Sequence, residues 1–162
     1  MGGVCYNVGV IIYFGADHRG FNLKEYLKEL VKEQAFEVVD MGNKVYDEKD
    51  DYPDFAAAVV KKVSADPEGS KGILMCGSGT GMDIAANKFS RVRSVLALSG
   101  DQVYDARHDD DVNVLTFAAD FVSNEDAAKI TKVFLETPFS GEERHRRRLE
   151  KISDIENRAY SS

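Results

Sequence analysis

The stretch Gly72-Ile-Leu-Met-Cys-Gly-Ser-Gly-Thr-Gly81 decides the fold of this chain. Its first residues form a short apolar run of the kind that fills a buried β-strand. Its second half alternates glycine with small polar residues, and glycine permits both positive φ and a close approach of the backbone. The pattern therefore predicts a strand with Cys76 at its end, then a tight turn, then a helix.

The rest of the chain continues this alternation of strand and helix. Such alternation predicts an α/β fold with a parallel sheet and helices on both faces, and the length of 162 residues suits a single domain over 1–162. Ligands bind such sheets beyond the carboxyl ends of the strands. The predicted strands are 8–14, 36–39, 72–75, 92–98 and 112–117, and the predicted helices are 22–34, 55–63, 83–89, 102–108, 125–136 (capped by Ser123) and 142–157, with a loop over 40–54.

Charge and composition exclude several classes of protein. The net charge of −7 argues against a duplex nucleic-acid binder, which is usually basic. No apolar run reaches the length of a membrane span, and the apolar start lacks the flanks of a signal peptide. The two cysteines, Cys5 and Cys76, have no metal-ligand spacing and predict reduced thiols rather than a disulfide. We therefore expect a cytoplasmic protein without nucleic-acid or membrane partners.

The glycine turn is also a predicted anion site, because backbone amides and a helix dipole converge there. Cys76 lies beside those amides, and a helix N-terminus lowers a thiol pKa, so a thiolate here can remove a proton from carbon. Ser78 can donate a hydrogen bond to a developing oxyanion. A turn without a ligand and a buried apolar cysteine are the alternatives. A dinucleotide site is disfavoured because Met82 replaces its third glycine.

Two further groups of residues are candidates for a site. Asp17 and His18 follow the first strand, where a carboxylate and an imidazole can orient sugar hydroxyls or move protons. The alternative is a helix-capping aspartate with a bystander histidine. Arg144 and Arg148 are four residues apart on one helix face and can clamp a phosphate. The alternative there is a solvated face paired with neighbouring glutamates.

Together these segments resemble the family of ribose-5-phosphate isomerase B and galactose-6-phosphate isomerase, over residues 9 to about 155. The resemblance implies a Rossmann-like three-layer sandwich with a five-stranded parallel sheet, and a homodimer with active sites at its interface, so that helix 142–157 packs on a partner subunit. It implies aldose–ketose isomerisation of a sugar phosphate through an enediolate, with no metal or other cofactor. The matching segments are Gly15–Lys24, Asp51–Phe55, Cys76–Met82, Ala85–Phe89, Asn113–Leu115 and Gly141–His145.

The resemblance also implies a role for each matching residue. Cys76 matches the base of the cysteine-using branch, and Ser78 matches the hydroxyl that assists proton transfer. Another branch uses a glutamate at the position that Met82 occupies here. By the same resemblance Gly77, Gly79, Thr80 and Gly81 would cradle the enediolate, Asp17 and His18 would contact the ring oxygen, hydroxyls or phosphate, and Arg144 and Arg148 would bind the phosphate with His145 beside them.

Three positions depart from the family pattern. The histidine expected four residues before Asn113, which assists ring opening, is Asp109, and the following asparagine is Asp110. His108 lies one residue too early, so His108 or Asp109 is expected to assist ring opening, and Asp110 to contact substrate. A phosphate-binding arginine expected seven residues after Asn113 is Asp120, whose charge would repel a phosphate.

The leading hypothesis is an isomerase that converts ribose 5-phosphate to ribulose 5-phosphate through a cis-enediolate, with Cys76 as the base. The alternative is a non-catalytic or substrate-altered protein that binds sugar phosphates or other anions on the same fold, and the three acidic departures motivate it. A nucleotide-binding module and a nucleic-acid binder that uses the basic cluster at 144–148 are weaker alternatives.

Overall fold

The computed structural model describes residues 9–159, which form a five-stranded parallel sheet between two layers of helices. The strand order is β2-β1-β3-β5-β4, so β3 is central. This confirms the predicted Rossmann-like α/β sandwich. The strands are β1 (Ile11–Ala16), β2 (Glu37–Asp40), β3 (Ser70–Cys76), β4 (Ser94–Leu96) and β5 (Val114–Ala118), and the α-helices are α1 (Phe21–Glu33), α2 (Tyr52–Ala65), α3 (Thr80–Ala86), α4 (Gly100–Asp110), α5 (Asn124–Glu136) and α6 (Glu143–Ala159).

Helices cover both faces of the sheet. Because side chains alternate along each strand, each strand contributes residues to both faces. On β3, Ile73 and Met75 join the core cluster under α1, α4 and α5. Leu74 and Cys76 join the cluster under α2 and α3. The Cys76 side chain is therefore on the α2 side of the sheet.

Two helices differ most from the prediction. Helix α2 begins at Tyr52 rather than at residue 55, and Pro53 lies in its first turn. Proline suits that position because the first helical N–H groups have no partner within the helix, so its missing N–H costs nothing. Helix α3 begins at Thr80 and ends at Ala86, three residues earlier than predicted at each end. Gly79 adopts a φ of 73° and completes the turn, so the helix starts at once.

The predicted strands also shift. Strand β1 continues through Gly15 to Ala16, while Val8, the predicted first residue, lies outside the described residues. Strand β4 shortens from 92–98 to Ser94–Leu96, although the next N–H, of Ala97, still donates to Thr116 O at 2.8 Å. The predicted cap of α5 is confirmed, since the Ser123 side chain accepts a hydrogen bond from the N–H of Asp126.

Helices α4 and α6 carry the chain to the edge of the sheet where the strands begin. Helix α4 starts after β4 and returns to Asp110, whose carbonyl accepts a hydrogen bond from Arg93 Nε at 3.1 Å, directly before β4. The Glu156 carboxylate of α6 accepts the N–H of Arg91 in the α3–β4 loop. His145 is the only buried residue of α6 among the described residues. The expectation that 142–157 packs on a partner subunit stays a prediction, as does the single domain over 1–162.

No helix within residues 9–159 combines the length and apolar character needed to cross a lipid bilayer.

Replacing Gly20 with alanine is expected to destabilise the protein by about 1–3 kcal/mol, because the new Cβ would come under 3.0 Å from the backbone of Met75. Gly100→Ala is the matched control, since its nearest atom outside the helix backbone and the adjacent residues is Val133 Cγ2 at 3.8 Å. The control is expected to be neutral or to gain up to about 1 kcal/mol. Urea unfolding measures both variants, and equal stabilities would contradict the packing argument.

Candidate active site

The glycine turn between β3 and α3 is packed on several sides. A Cβ on Gly79 would come under 3.0 Å from the Leu96 side chain, and a Cβ on Gly77 would overlap the Arg19 guanidinium. A Cβ on Gly81 would likewise come under 3.0 Å from the ring of Tyr52. The sequence analysis attributed these glycines to a ligand. Close packing supplies a second reason for them that holds with or without a ligand.

Cys76 ends β3 as a buried free thiol, and the N–H groups of Met82 and Gly79 point at its sulfur. Burial nevertheless raises the pKa of the Cys76 thiol, and the negative charge of Asp17 adds to this effect. The amides and the charge of Arg19 act in the opposite direction but are the weaker influences. Desolvation of the thiolate therefore outweighs the lowering effect of the helix N-terminus that the sequence analysis invoked. Cys5 lies outside the described residues.

Asp17 caps the short 3-10 turn His18–Gly20 that follows β1. Its Oδ1 accepts the N–H groups of Arg19 at 3.0 Å and Gly20 at 3.1 Å. The capping alternative is thus realised, and it fixes where the carboxyl group stands. Burial raises the pKa of Asp17, although both N–H groups oppose that shift. A role for Asp17 toward a sugar remains a prediction.

His18 is held by Asp50, a residue that the sequence analysis did not single out. Asp50 Oδ1 lies 2.8 Å from His18 Nδ1 and 3.0 Å from the His18 backbone nitrogen. Asn43 Nδ2 donates to the other oxygen of the carboxylate at 3.1 Å. The hydrogen bond that the imidazole donates to Asp50 raises the pKa of His18. His18 is therefore an oriented imidazole, and its role toward a sugar stays a prediction.

Asp120 forms an ion pair with Arg19, which the sequence analysis also missed. Arg19 Nη2 donates to Asp120 Oδ2. The Asp120 N–H donates to the carbonyl of Gly77 at 3.0 Å. The Arg19 guanidinium therefore offsets the charge of the Asp120 carboxylate. The expectation that Asp120 repels a phosphate stays a prediction.

A second cluster lies at the C-terminal end of α4. His108 Nδ1 is 2.8 Å from Asp109 Oδ1, and His145 Nε2 is 3.6 Å from the same oxygen. Ser140 Oγ bonds the other ring nitrogen of His145 at 2.6 Å, and Tyr104 stacks on His108 with ring centroids 5.5 Å apart. The hydrogen bond from His108 lowers the pKa of Asp109. His108 and Asp109 thus act as one hydrogen-bonded unit.

The predicted site residues fall at opposite edges of the sheet. Cys76, Ser78 and residues 17–18 lie where β1 and β3 end. Residues 108–110 lie one α4 length away, and 11 residues of helix span about 16 Å. Arg144 and Arg148 share that second edge on α6, where Arg144 Nε pairs with Glu142 at 2.8 Å. One chain does not bring the two groups together, and the predicted roles of the second group require another copy.

Among residues 9–159, two sets of side chains have ligand atoms close enough to hold a metal ion. They are His108, Asp109 and His145, and Asp17, His18 and Asp50, each with its ligand atoms within 4.8 Å of one another. Hydrogen bonds between histidine and aspartate already account for the geometry in both sets. We therefore assign no metal to either.

Asp50→Asn is expected to lower the pKa of His18 toward the ordinary imidazole value of about 6.5, because the variant loses the carboxylate charge. The pair stabilises the folded state at pH values below that ordinary value, and the effect fades as pH rises through the raised pKa. An NMR titration of the three histidines, with His18→Gln for assignment, measures the change. Asp47→Asn in the same loop is the control, and an unchanged His18 pKa in Asp50→Asn would contradict this account.

Comparison with known proteins gives one consistent result. The profile of the Ribose/Galactose Isomerase family matches residues 12–152. The probable ribose-5-phosphate isomerase B of Mycoplasma genitalium is 41% identical over 141 residues, which are 87% of this chain and 92% of the relative. Ribose-5-phosphate isomerase B of Mycobacterium tuberculosis is 37% identical over 148 residues, 91% of each chain.

Solved structures agree with the sequence relatives. The crystal structure of the Mycoplasma genitalium enzyme with bound ribulose-5-phosphate has a TM-score of 0.88 at 40% identity, covering 91% of this chain and 97% of that one. Type B ribose 5-phosphate isomerase of Trypanosoma cruzi has a TM-score of 0.88 at 40% identity, covering 94% and 99%. On these matches over most of its length, the chain belongs to the Ribose/Galactose Isomerase family.

Proposed function

We propose that the protein interconverts ribose 5-phosphate and ribulose 5-phosphate, with Cys76 as the proton-transfer base. The observation that carries the proposal is the position of the Cys76 thiol, at the end of the central strand and under the amides of the glycine turn. The relatives are named as isomerases, which favours turnover over a protein that only binds sugar phosphates.

The chemistry is a proton transfer between neighbouring carbons. The Cys76 thiolate removes the proton from C2 of the open-chain aldose, and the electron pair of that bond forms the C1–C2 double bond while O1 becomes an oxyanion. Return of the proton to C1, with the hydroxyl proton passing from O2 to O1, gives the ketose. We assign the stabilisation of the enediolate oxygen to the amides of the glycine turn and the Ser78 hydroxyl.

The raised pKa of Cys76 fits a base for a carbon acid. The raised pKa favours the protonated thiol in the unliganded protein, so Cys76 must lose that proton before it can act as a base. A thiolate of high pKa is the stronger base once it has formed. Thiols stay reduced in the cytosol, so we propose a cytoplasmic location for this thiol-dependent reaction.

Ring opening precedes this step, because the sugar phosphate is mainly cyclic in solution. His18 is the proposed proton donor to the ring oxygen, since Asp50 orients the imidazole and favours its protonated form. Asp17, next to it, is the proposed acceptor for the hydroxyl proton at C1. His108 and Asp109 assist this ring opening from a second copy of the chain.

We propose that the protein is a homodimer whose sites contain residues from both subunits. Two exposed apolar side chains, Leu98 and Phe121, follow β4 and β5 at the edge that carries Cys76. Two more, Ile152 and Ile155, lie on α6 at the other edge. A twofold contact that lays α6 of one subunit over the strand ends of its partner covers both patches. It also brings the second group of site residues toward the thiol.

Wild-type protein is expected to convert ribose 5-phosphate, and Cys76→Ala to lose about 10²–10⁴-fold in kcat, the usual effect of removing a general base. A coupled assay measures the rates on ribose 5-phosphate, allose 6-phosphate and galactose 6-phosphate. Thermal unfolding checks that the variant folds. Folded wild-type protein that binds all these sugars without turnover would favour the binder instead. Full activity in Cys76→Ala would reject the thiol as the base.

Ile155→Glu is expected to weaken the dimer at least roughly tenfold and to lower activity in proportion to the monomer formed, because a charge would enter the apolar contact. Sedimentation velocity and the isomerase assay, both over a range of protein concentration, measure the two effects. Tyr26→Glu on α1, an exposed apolar position outside both patches, is the control. An active monomeric variant would contradict the shared site.

A further inference from the structure

The ion pair between Arg19 and Asp120 spans the turn that carries the proposed base. Arg19 follows β1 and Asp120 follows β5, while β3 lies between these two strands. The pair therefore reaches across the turn after β3, and the Asp120 N–H holds the carbonyl of Gly77 from the same side. The Arg19 guanidinium and the Asp120 carboxylate thus lie together beside the glycine turn.

The guanidinium and the thiol approach the glycine turn from different directions. Cys76 belongs to the core cluster on the α2 side of the sheet. Arg19 precedes α1, which packs on the other face, and its guanidinium lies where a Cβ of Gly77 would be. A substrate whose reacting carbons meet the thiol can therefore extend its distant end to the side of Arg19.

Arg19 has the chemistry to bind an anion there. A guanidinium offers five N–H donors, and within residues 9–159 its side chain donates only to Asp120, through Nη2. The side chains are 57% and 36% exposed, and exposed ion pairs contribute little to stability. A phosphate dianion, with more charge and three oxygens, displaces a single carboxylate from such a pair.

We propose that Arg19 binds the phosphate group of the substrate and that Asp120 holds the guanidinium in place until the phosphate arrives. This assignment rests on the proposed function and names one binding residue of the same site. It explains how a chain with an acid at position 120 still accepts a phosphorylated sugar. Asp120 is a positioning residue, since it acts through Arg19.

The test compares variants of the two partners in the full-length protein. Arg19→Gln is expected to raise the KM for ribose 5-phosphate roughly 10- to 100-fold with a much smaller change in kcat, because the phosphate does not react. The inhibition constant of inorganic phosphate is expected to rise by a similar factor. For Arg19→Lys, both constants are expected to lie between those of wild type and Arg19→Gln, since lysine keeps the charge but loses the planar fork.

Asp120→Asn separates a binding role from a structural one. The asparagine oxygen still accepts a hydrogen bond from Arg19, but the charge that competes with phosphate is gone. The KM for ribose 5-phosphate is therefore expected to fall or stay unchanged. Lys129→Gln removes a cation from a comparably exposed pair with Glu125 on α5 and is the matched control, expected to leave both constants unchanged.

Two results would overturn the proposal. One is an Arg19→Gln protein whose KM and phosphate inhibition stay within twofold of wild type. The other is an Asp120→Asn protein that loses as much affinity as Arg19→Gln, which would make the pair a structural clasp. If wild-type protein does not turn over ribose 5-phosphate, the proposed function fails, and the thermal shift produced by inorganic phosphate decides the role of Arg19 alone: a shift lost in Arg19→Gln supports it, and an equal shift rejects it.

Discussion

The site depends on the place of β3 between β1 and β5 in a parallel sheet. The register pairs Met75 with Ala16 on one side and Cys76 with Ala118 on the other. Because parallel strands end at the same edge, the segments that leave them meet there. The glycine turn receives Arg19 from one neighbour and Asp120 from the other. Every contact that positions the thiol follows from this three-strand alignment.

The same packing sets the acid–base properties of the edge. Cys76 and Asp17 are buried, and desolvation raises the pKa of each. His18 is more exposed, and its hydrogen bond to Asp50 raises its pKa. A thiol, a carboxyl group and an imidazole in one place thus all favour their protonated forms relative to free side chains. Such an edge suits a reaction that only moves protons between the atoms of one sugar.

Much of the fold was predictable from local sequence, because periodicity and turn residues report on neighbours in the chain. The strand at 72–75, its glycine turn and the Ser123 cap of α5 needed no distant contact. The start of α2 was missed because Pro53 suits both a loop and a first helical turn. Cys76 was found because its turn is a local pattern.

The partners of the site were not predictable in this way. Asp50 lies 32 residues from His18, and Asp120 lies 101 residues from Arg19. Neither pairing leaves a periodic trace, and each depends on which strands become neighbours. The separation of residues 108–110 from the thiol likewise follows from the direction of α4. That direction depends on how the helix packs on the sheet, and local sequence patterns do not report it.

Hydrogen exchange during the reaction tests the central claim most directly, that Cys76 carries a proton between C1 and C2 through an enediolate. The reaction is run with ribose 5-phosphate in D2O, and the product and recovered substrate are examined by NMR. Because the thiol can exchange its proton with solvent while the enediolate exists, the account predicts solvent deuterium at C1 in part of the ribulose 5-phosphate, and neither conversion nor exchange above background with Cys76→Ala. Undiminished conversion and exchange in Cys76→Ala would contradict it.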